Sequence, residues 1–139
     1  MRLACRGGVN TTELNALTET IIGAAISVDR ELGPGLLEQS YEACLCFDLL
    51  SAGLAVERQM PLPIRYKKQQ LDCGYRIDLL VENAVVVEVK AIERFERVHF
   101  AQLLSYLKFA NCQVGLLLNF SVALLSRGGI KRVVNGLHE

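Results

Sequence analysis

The stretch from Arg76 to Lys90, RIDLLVENAVVVEVK, constrains this chain more than any other. It reads as a hairpin of two apolar strands that nevertheless carries Asp78, Glu88 and Lys90. Side chains on a strand alternate between faces, so Val86, Glu88 and Lys90 point one way and Val85, Val87 and Val89 the other. If the all-valine face is core, the other face is either solvated surface or the floor of a site. The loop decides which carboxylates can meet. With a two-residue turn, Glu82-Asn83, Asp78 falls opposite Val87 and points away from Glu88. With a three-residue loop, Glu82-Asn83-Ala84, Asp78 falls directly across from Glu88, and Asn tolerates the left-handed backbone such a loop needs.

Periodicity places the hairpin within a larger fold. Leu14, Leu17, Ile21, Ala25, Val28 and Leu32 recur at helical spacing over residues 12–32, with Asn10 or Thr11 as cap. Gly33-Pro34-Gly35 breaks that helix, and a second is predicted over residues 36–52, stopped by Gly53. Strands are predicted at residues 55–60, 62–66, 71–81 and 85–90, then a helix at 98–109. A short apolar strand follows at 114–118 and an edge strand at 130–134. Pro61 and Pro63 confine their segment to an edge or a bulge. The order α-α-β-β-β-β-α-β-β implies an α/β (α+β) domain, with a mixed central β-sheet flanked by helices.

At 139 residues the chain suits one domain, here residues 11–139 after a frayed segment 1–10. Half of it is hydrophobic (51%) and 22% is charged, which excludes a disordered chain. The net charge is zero, so no bulk basic field announces a nucleic-acid partner, and any such binding must come from a local patch. Arg65, Lys67 and Lys68, with Arg94 and Arg97, could form one. For the first three, solvated turn charges are the simpler reading. The five cysteines contain no CxxC pair and read as small buried apolar residues of a reducing cytosol. No signal peptide and no membrane span is evident, so the expectation is a soluble cytoplasmic protein without membrane contact.

Asp78, nine residues, then Glu88-Val89-Lys90 is a spacing suited to metal-dependent phosphodiester chemistry. Hard cations such as magnesium take carboxylate and carbonyl oxygens and keep waters for reaction. An adjacent ammonium can position the attacking water or stabilise charge on the phosphorane. Gln102 and Tyr106 stand four apart on the following helix, and Glu38, Tyr41 and Glu42 share a turn of the second helix. Each has a plainer reading: a half-buried polar group, core packing, or a first-turn carboxylate favoured by the helix dipole. His99 shares a face with Gln102 and Tyr106, although lone histidines more often bond locally.

At these residues the chain resembles the GxxExxY proteins, a small bacterial branch of the PD-(D/E)XK nuclease superfamily. The resemblance runs from about Leu14 to Val134, through LTETIIGAAISVDRELGPGLLEQSYE, YRIDLLVENAVVVEVK and AQLLSYLK. It implies a restriction-endonuclease-like fold and magnesium-dependent cleavage, with manganese able to substitute. It matches Asp78 to the acidic residue of the second core strand, and Glu88 and Lys90 to the (D/E)xK of the third. Glu38 matches the acidic residue of the first core helix, with Glu42 as the alternative, and Gln102 and Tyr106 match a QxxxY element. By this resemblance Glu38, Asp78, Glu88 and the Val89 backbone carbonyl hold the metal, and Lys90 positions water. Gln102 and Tyr106 orient Lys90 or the phosphate. Apart from the resemblance, His99, Arg94 and Arg97 could contact a phosphate. The expected partner is nucleic acid, DNA before RNA, and a homodimer is compatible. The rival expectation is a non-catalytic module that keeps the fold and binds a partner.

Overall fold

The structure, a computed structural model, describes residues 5–136. Helix α1 (Thr11–Leu32) is capped by Asn10, whose side chain accepts the Glu13 N–H at 2.8 Å. Its stripe of Leu14, Ile21, Ala25 and Val28 is buried. The chain then turns through Gly33 (φ +67°) and Gly35 (φ +111°), backbone that residues with a Cβ rarely adopt. The Tyr41 hydroxyl staples this turn. It donates to the Gly33 carbonyl at 2.6 Å and accepts from the Leu36 N–H at 3.1 Å, while its ring stacks on Phe120 at 4.5 Å. The staple keeps Leu36 and Leu37 out of the next helix, so α2 spans Glu38–Ser51 rather than 36–52.

Strands β1 (Val56–Pro61), β2 (Ile64–Tyr66), β3 (Gln69–Leu71), β4 (Arg76–Val81) and β5 (Val85–Lys90) precede α3 (Arg97–Ala110). Strands β6 (Val114–Asn119) and β7 (Ile130–Val134) follow it. The main sheet has the order β1-β4-β5-β6-β7, and β2 and β3 form a separate two-stranded ribbon. Only the β5–β6 pairing is parallel, joined across α3, so the sheet is mixed. Pro61 ends β1 at the sheet's edge, where its missing N–H breaks no central ladder. The single strand expected over residues 71–81 is two. The Asp72 carboxylate accepts the Gly74 N–H at 2.9 Å and Gly74 takes φ +81°, so a turn divides them. Five strands therefore precede α3, not four.

Both faces of the sheet are covered. Val87, Val89, Leu116 and Leu118 pack under α1 and α2 with Leu14, Ile21, Tyr41 and Leu45. Val86, Leu80 and Leu117 pack under α3 with Leu103 and Leu107. Gly115 lets α3 settle onto β6, since a Cβ there would lie 2.8 Å from the Leu103 side chain.

The cysteine reading needs correction. Cys5 and Cys112 are joined in a disulfide, with Cα atoms 5.1 Å apart; Cys44, Cys46 and Cys73 are free. The segment expected to fray is tied down from Cys5 onward, and the Arg6 N–H also donates to the Asn83 carbonyl at 2.7 Å. The spacing of 107 residues hides this pair in the sequence, because only the fold brings the chain's start to the foot of α3. The remainder of the expected N-terminal segment, residues 1–4, and the domain's last residues, 137–139, lie outside the described residues. No described helix is long and apolar enough to cross a membrane.

Candidate active site

The β4–β5 ladder pairs Val81 with Val85, Leu80 with Val86 and Leu79 with Val87. That register leaves Glu82, Asn83 and Ala84 as a three-residue loop. Glu82 and Asn83 have φ of +54° and +49°, and the Ala84 N–H donates to the Val81 carbonyl at 3.0 Å. Left-handed backbone is costly at a glutamate. Here Ala55 holds it in place: the Glu82 N–H donates to the Ala55 carbonyl at 2.7 Å, and the Ala55 N–H donates to the Glu82 carboxylate at 2.6 Å.

One step beyond Leu79–Val87, Asp78 faces Glu88, and side chains replace the backbone ladder. The Asp78 N–H donates to Glu88 Oε2 at 2.9 Å, and the Val89 N–H donates to Asp78 Oδ2 at 2.9 Å. The carboxylates thus lock each other's strands. On the opposite edge of β4, Gln59 sits between the Arg58–Leu79 and Met60–Ile77 pairs with φ +56°. Its amide donates to Asp78 Oδ1 at 3.2 Å and also to Glu42. This irregular step turns the strand, so Ile77 packs under α3 while Leu79 packs under α1 and α2.

Glu88 is 5% exposed. Burial pushes its carboxyl well above the usual range, and the negative Asp78 adds to the rise. The Asp78 N–H and the charge of Lys90, two residues on along the same face, pull the other way without cancelling it. Helix α3 lays Gln102 and Tyr106 over this face, the Gln102 amide donating to the Tyr106 hydroxyl at 2.9 Å. Burial, and next the Glu88 charge, raise the Tyr106 phenol above its ordinary value, so the hydroxyl lies within reach of the pair's field.

A family model of the PD-(D/E)XK nuclease superfamily matches residues 15–133, a span that holds all of these side chains. The chain belongs to this superfamily. No curated protein and no solved structure is significantly similar to it. In this nuclease-type domain the hairpin register sets Asp78 against Glu88, with Lys90 two residues further along β5.

The remaining candidates are placed less simply. Glu38 is the first residue of α2, but its carboxylate accepts the Ala91 N–H at 3.1 Å, just past Lys90, instead of closing on the pair. Helix α2 packs on the sheet face away from Glu88, so Glu38 reaches the site only around the end of β5. Glu42 is 4% exposed and is linked to Asp78 through Gln59, with Arg58 neutralising it at 3.0 Å. Among the described residues no three His, Cys, Asp or Glu side chains converge as a metal shell. His99 bonds locally, its Nδ1 accepting the Glu96 N–H at 2.8 Å to close the start of α3. Arg94 pairs with Glu96 at 3.2 Å, and Arg97 opens α3 exposed.

Gln59 and Asn119 were not legible as site residues. Asn119 is fully buried beside Lys90 in the β5–β6 register. Its Oδ1 accepts the Ile92 N–H at 3.1 Å and its Nδ2 donates to the Ile92 carbonyl at 2.9 Å, which fixes the chain as it leaves Lys90. A polar residue closing the apolar run VGLLLN was its only signal. A divalent cation suits the central pair: two hard-oxygen donors side by side, Glu88 buried and Asp78 half-buried.

Proposed function

We propose that this protein hydrolyses phosphodiester bonds in nucleic acid, with DNA as the substrate and magnesium, or manganese in its place, as the metal. The observation that carries the reading is the hairpin register, which sets Asp78 against Glu88 with Lys90 two residues along the same face. Asp78, Glu88 and the Val89 backbone carbonyl would hold the cation, and Glu38 at the strand end would reach it through a water. When bound, the cation would polarise the phosphate and acidify a coordinated water.

The chain's own residues do the rest. Lys90 aligns the attacking water by hydrogen bonding and stabilises negative charge building on the phosphoryl oxygens. Gln102 and Tyr106, already joined, orient Lys90 or a phosphate oxygen, while Arg97 and Arg94 offer charge for the flanking backbone. His99 keeps only Nε2 for such a contact, because Nδ1 is engaged at the helix start. Access to nucleic acid favours a cytoplasmic setting, whereas the Cys5–Cys112 disulfide favours an oxidising one. Homodimer formation draws support from the exposed Leu37, Phe47 and Leu50 at and along α2.

The test is incubation with linear, circular and single-stranded DNA plus manganese, beside Lys90→Ala. Metal-dependent cleavage by wild type alone is the expected result, and equal traces for both proteins would end the reading. A second reading, a binding module without turnover, is favoured by one observation: Asp78 and Glu88 already satisfy each other's strands without a third carboxylate. Calorimetric titration separates the two, since a module lacking the site takes up no magnesium or manganese at these carboxylates.

A further inference from the structure

The β2–β3 ribbon stands outside the main sheet and has a composition unlike the rest of the chain. Residues 62–76, LPIRYKKQQLDCGYR, hold Arg65, Lys67, Lys68 and Arg76 against the single acid Asp72, a net charge of +3 in a chain of net charge zero. These charged side chains are all exposed. Tyrosines interleave them and are exposed too, Tyr66 by 57% and Tyr75 by 40%, with the Lys67 ammonium 5.3 Å over the Tyr66 ring. Exposed aromatic rings among cations are what a single nucleic-acid strand needs, since bases stack on the rings and phosphates follow the charges.

The base of this arm opens into a cavity of about 470 Å³ between the ribbon and α3. Ile64 and Phe109 give it apolar walls, Tyr75 lines it from the arm, and Ser105, Gln102 and Tyr106 bring polar groups from α3. The Tyr75 ring meets the Tyr106 ring edge-on at 5.8 Å. Gln102 and Tyr106 line this cavity, and Tyr106 also packs with Val86 on the sheet face that carries Glu88, so the cavity abuts the carboxylate site. Among the described residues no Lys, Arg or His lines it, so a phosphate group alone is a poor occupant. A nucleobase, flat and apolar on its faces and polar at its edges, matches those walls. A base within a duplex could enter only by leaving its stack.

We propose that this cavity takes an unpaired base next to the scissile phosphate, stacked on Tyr75, while Arg65, Lys67 and Lys68 hold the adjoining backbone. The substrate is then a single strand or an unpaired end. This rests on the nuclease reading and adds a substrate class to it.

Binding of a short fluorescein-labelled oligothymidylate, and of the matching duplex, is measured by anisotropy without divalent metal. Wild type should hold the single strand more tightly than the duplex. Tyr75→Ala should weaken single-strand binding about tenfold while Tyr75→Phe retains it, because the ring and not the hydroxyl is used. Lys67→Ala/Lys68→Ala, at exposed positions that leave folding intact, should flatten the slope of log K against log salt by about 1.4. Far-UV circular dichroism checks that each variant is folded. Unchanged single-strand affinity in folded Tyr75→Ala, or a duplex preference in wild type, overturns the proposal. Cleavage with manganese separates it from the reading beneath. Tyr75-dependent binding without cleavage removes the hydrolase and keeps the arm; cleavage with Tyr75-independent binding does the reverse.

Discussion

Burying Glu88 against Asp78 makes the metal-free fold sensitive to pH in a definite direction. A carboxyl whose folded pKa lies above its unfolded value favours the native state when protonated. For Glu88 that contribution is complete below the unfolded pKa and is lost as pH rises through the raised folded one. Glu88→Gln imitates the protonated acid, and its amide oxygen can still accept the Asp78 N–H. Without metal, the variant should therefore melt above wild type at about pH 8, with the gap closing toward about pH 4. A gap that stays constant across the titration would sink this account. Magnesium reverses the order: wild type should gain about 2.7 kcal/mol of stability at a hundredfold excess over Kd, melt higher and release protons, whereas Glu88→Gln gains nothing. Lys90→Ala should keep the magnesium response and lose about 10²–10⁴-fold in cleavage rate, a separation that thermal shift and a cleavage assay read side by side.

At the scale of elements, the hairpin was legible because valine periodicity and an asparagine in the loop are local signals. Its exact geometry was not, because the left-handed Glu82 is held by Ala55, 27 residues away. The break at Asp72-Cys73-Gly74 was missed for a related reason: the apolar residues on either side continue a plausible strand, and only the Asp72–Gly74 bond reveals the turn. Glu38 was placed correctly in sequence at the start of α2, but which sheet face that helix covers is a tertiary outcome. Asn119 is the strongest test of how elements hold the site. Asn119→Ala leaves the Ile92 and Ser121 N–H groups without their side-chain acceptor and opens a small void. Urea denaturation should show a loss of about 2–4 kcal/mol. A loss below about 0.5 kcal/mol would mean that water replaces the clamp without cost.

For the whole molecule, the mixed sheet between helices followed from the order of elements, whereas the covalent link between Cys5 and Cys112 did not. Five cysteines without a short-range pattern give no pairing, and a neutral intracellular reading argued against any. Reduction should lower stability by about 2–5 kcal/mol, the range expected when a long loop loses its closure. Melting curves with and without a phosphine reductant measure this, and Cys112→Ala should make the protein indifferent to the reductant. The link also closes residues 5–112 into a ring: α1, α2, the basic arm and the carboxylate hairpin all lie between its two ends. A protease that nicks the exposed β2–β3 ribbon once therefore severs the backbone without separating the pieces. Limited digestion should leave a single band on a non-reducing gel and two fragments on a reducing one.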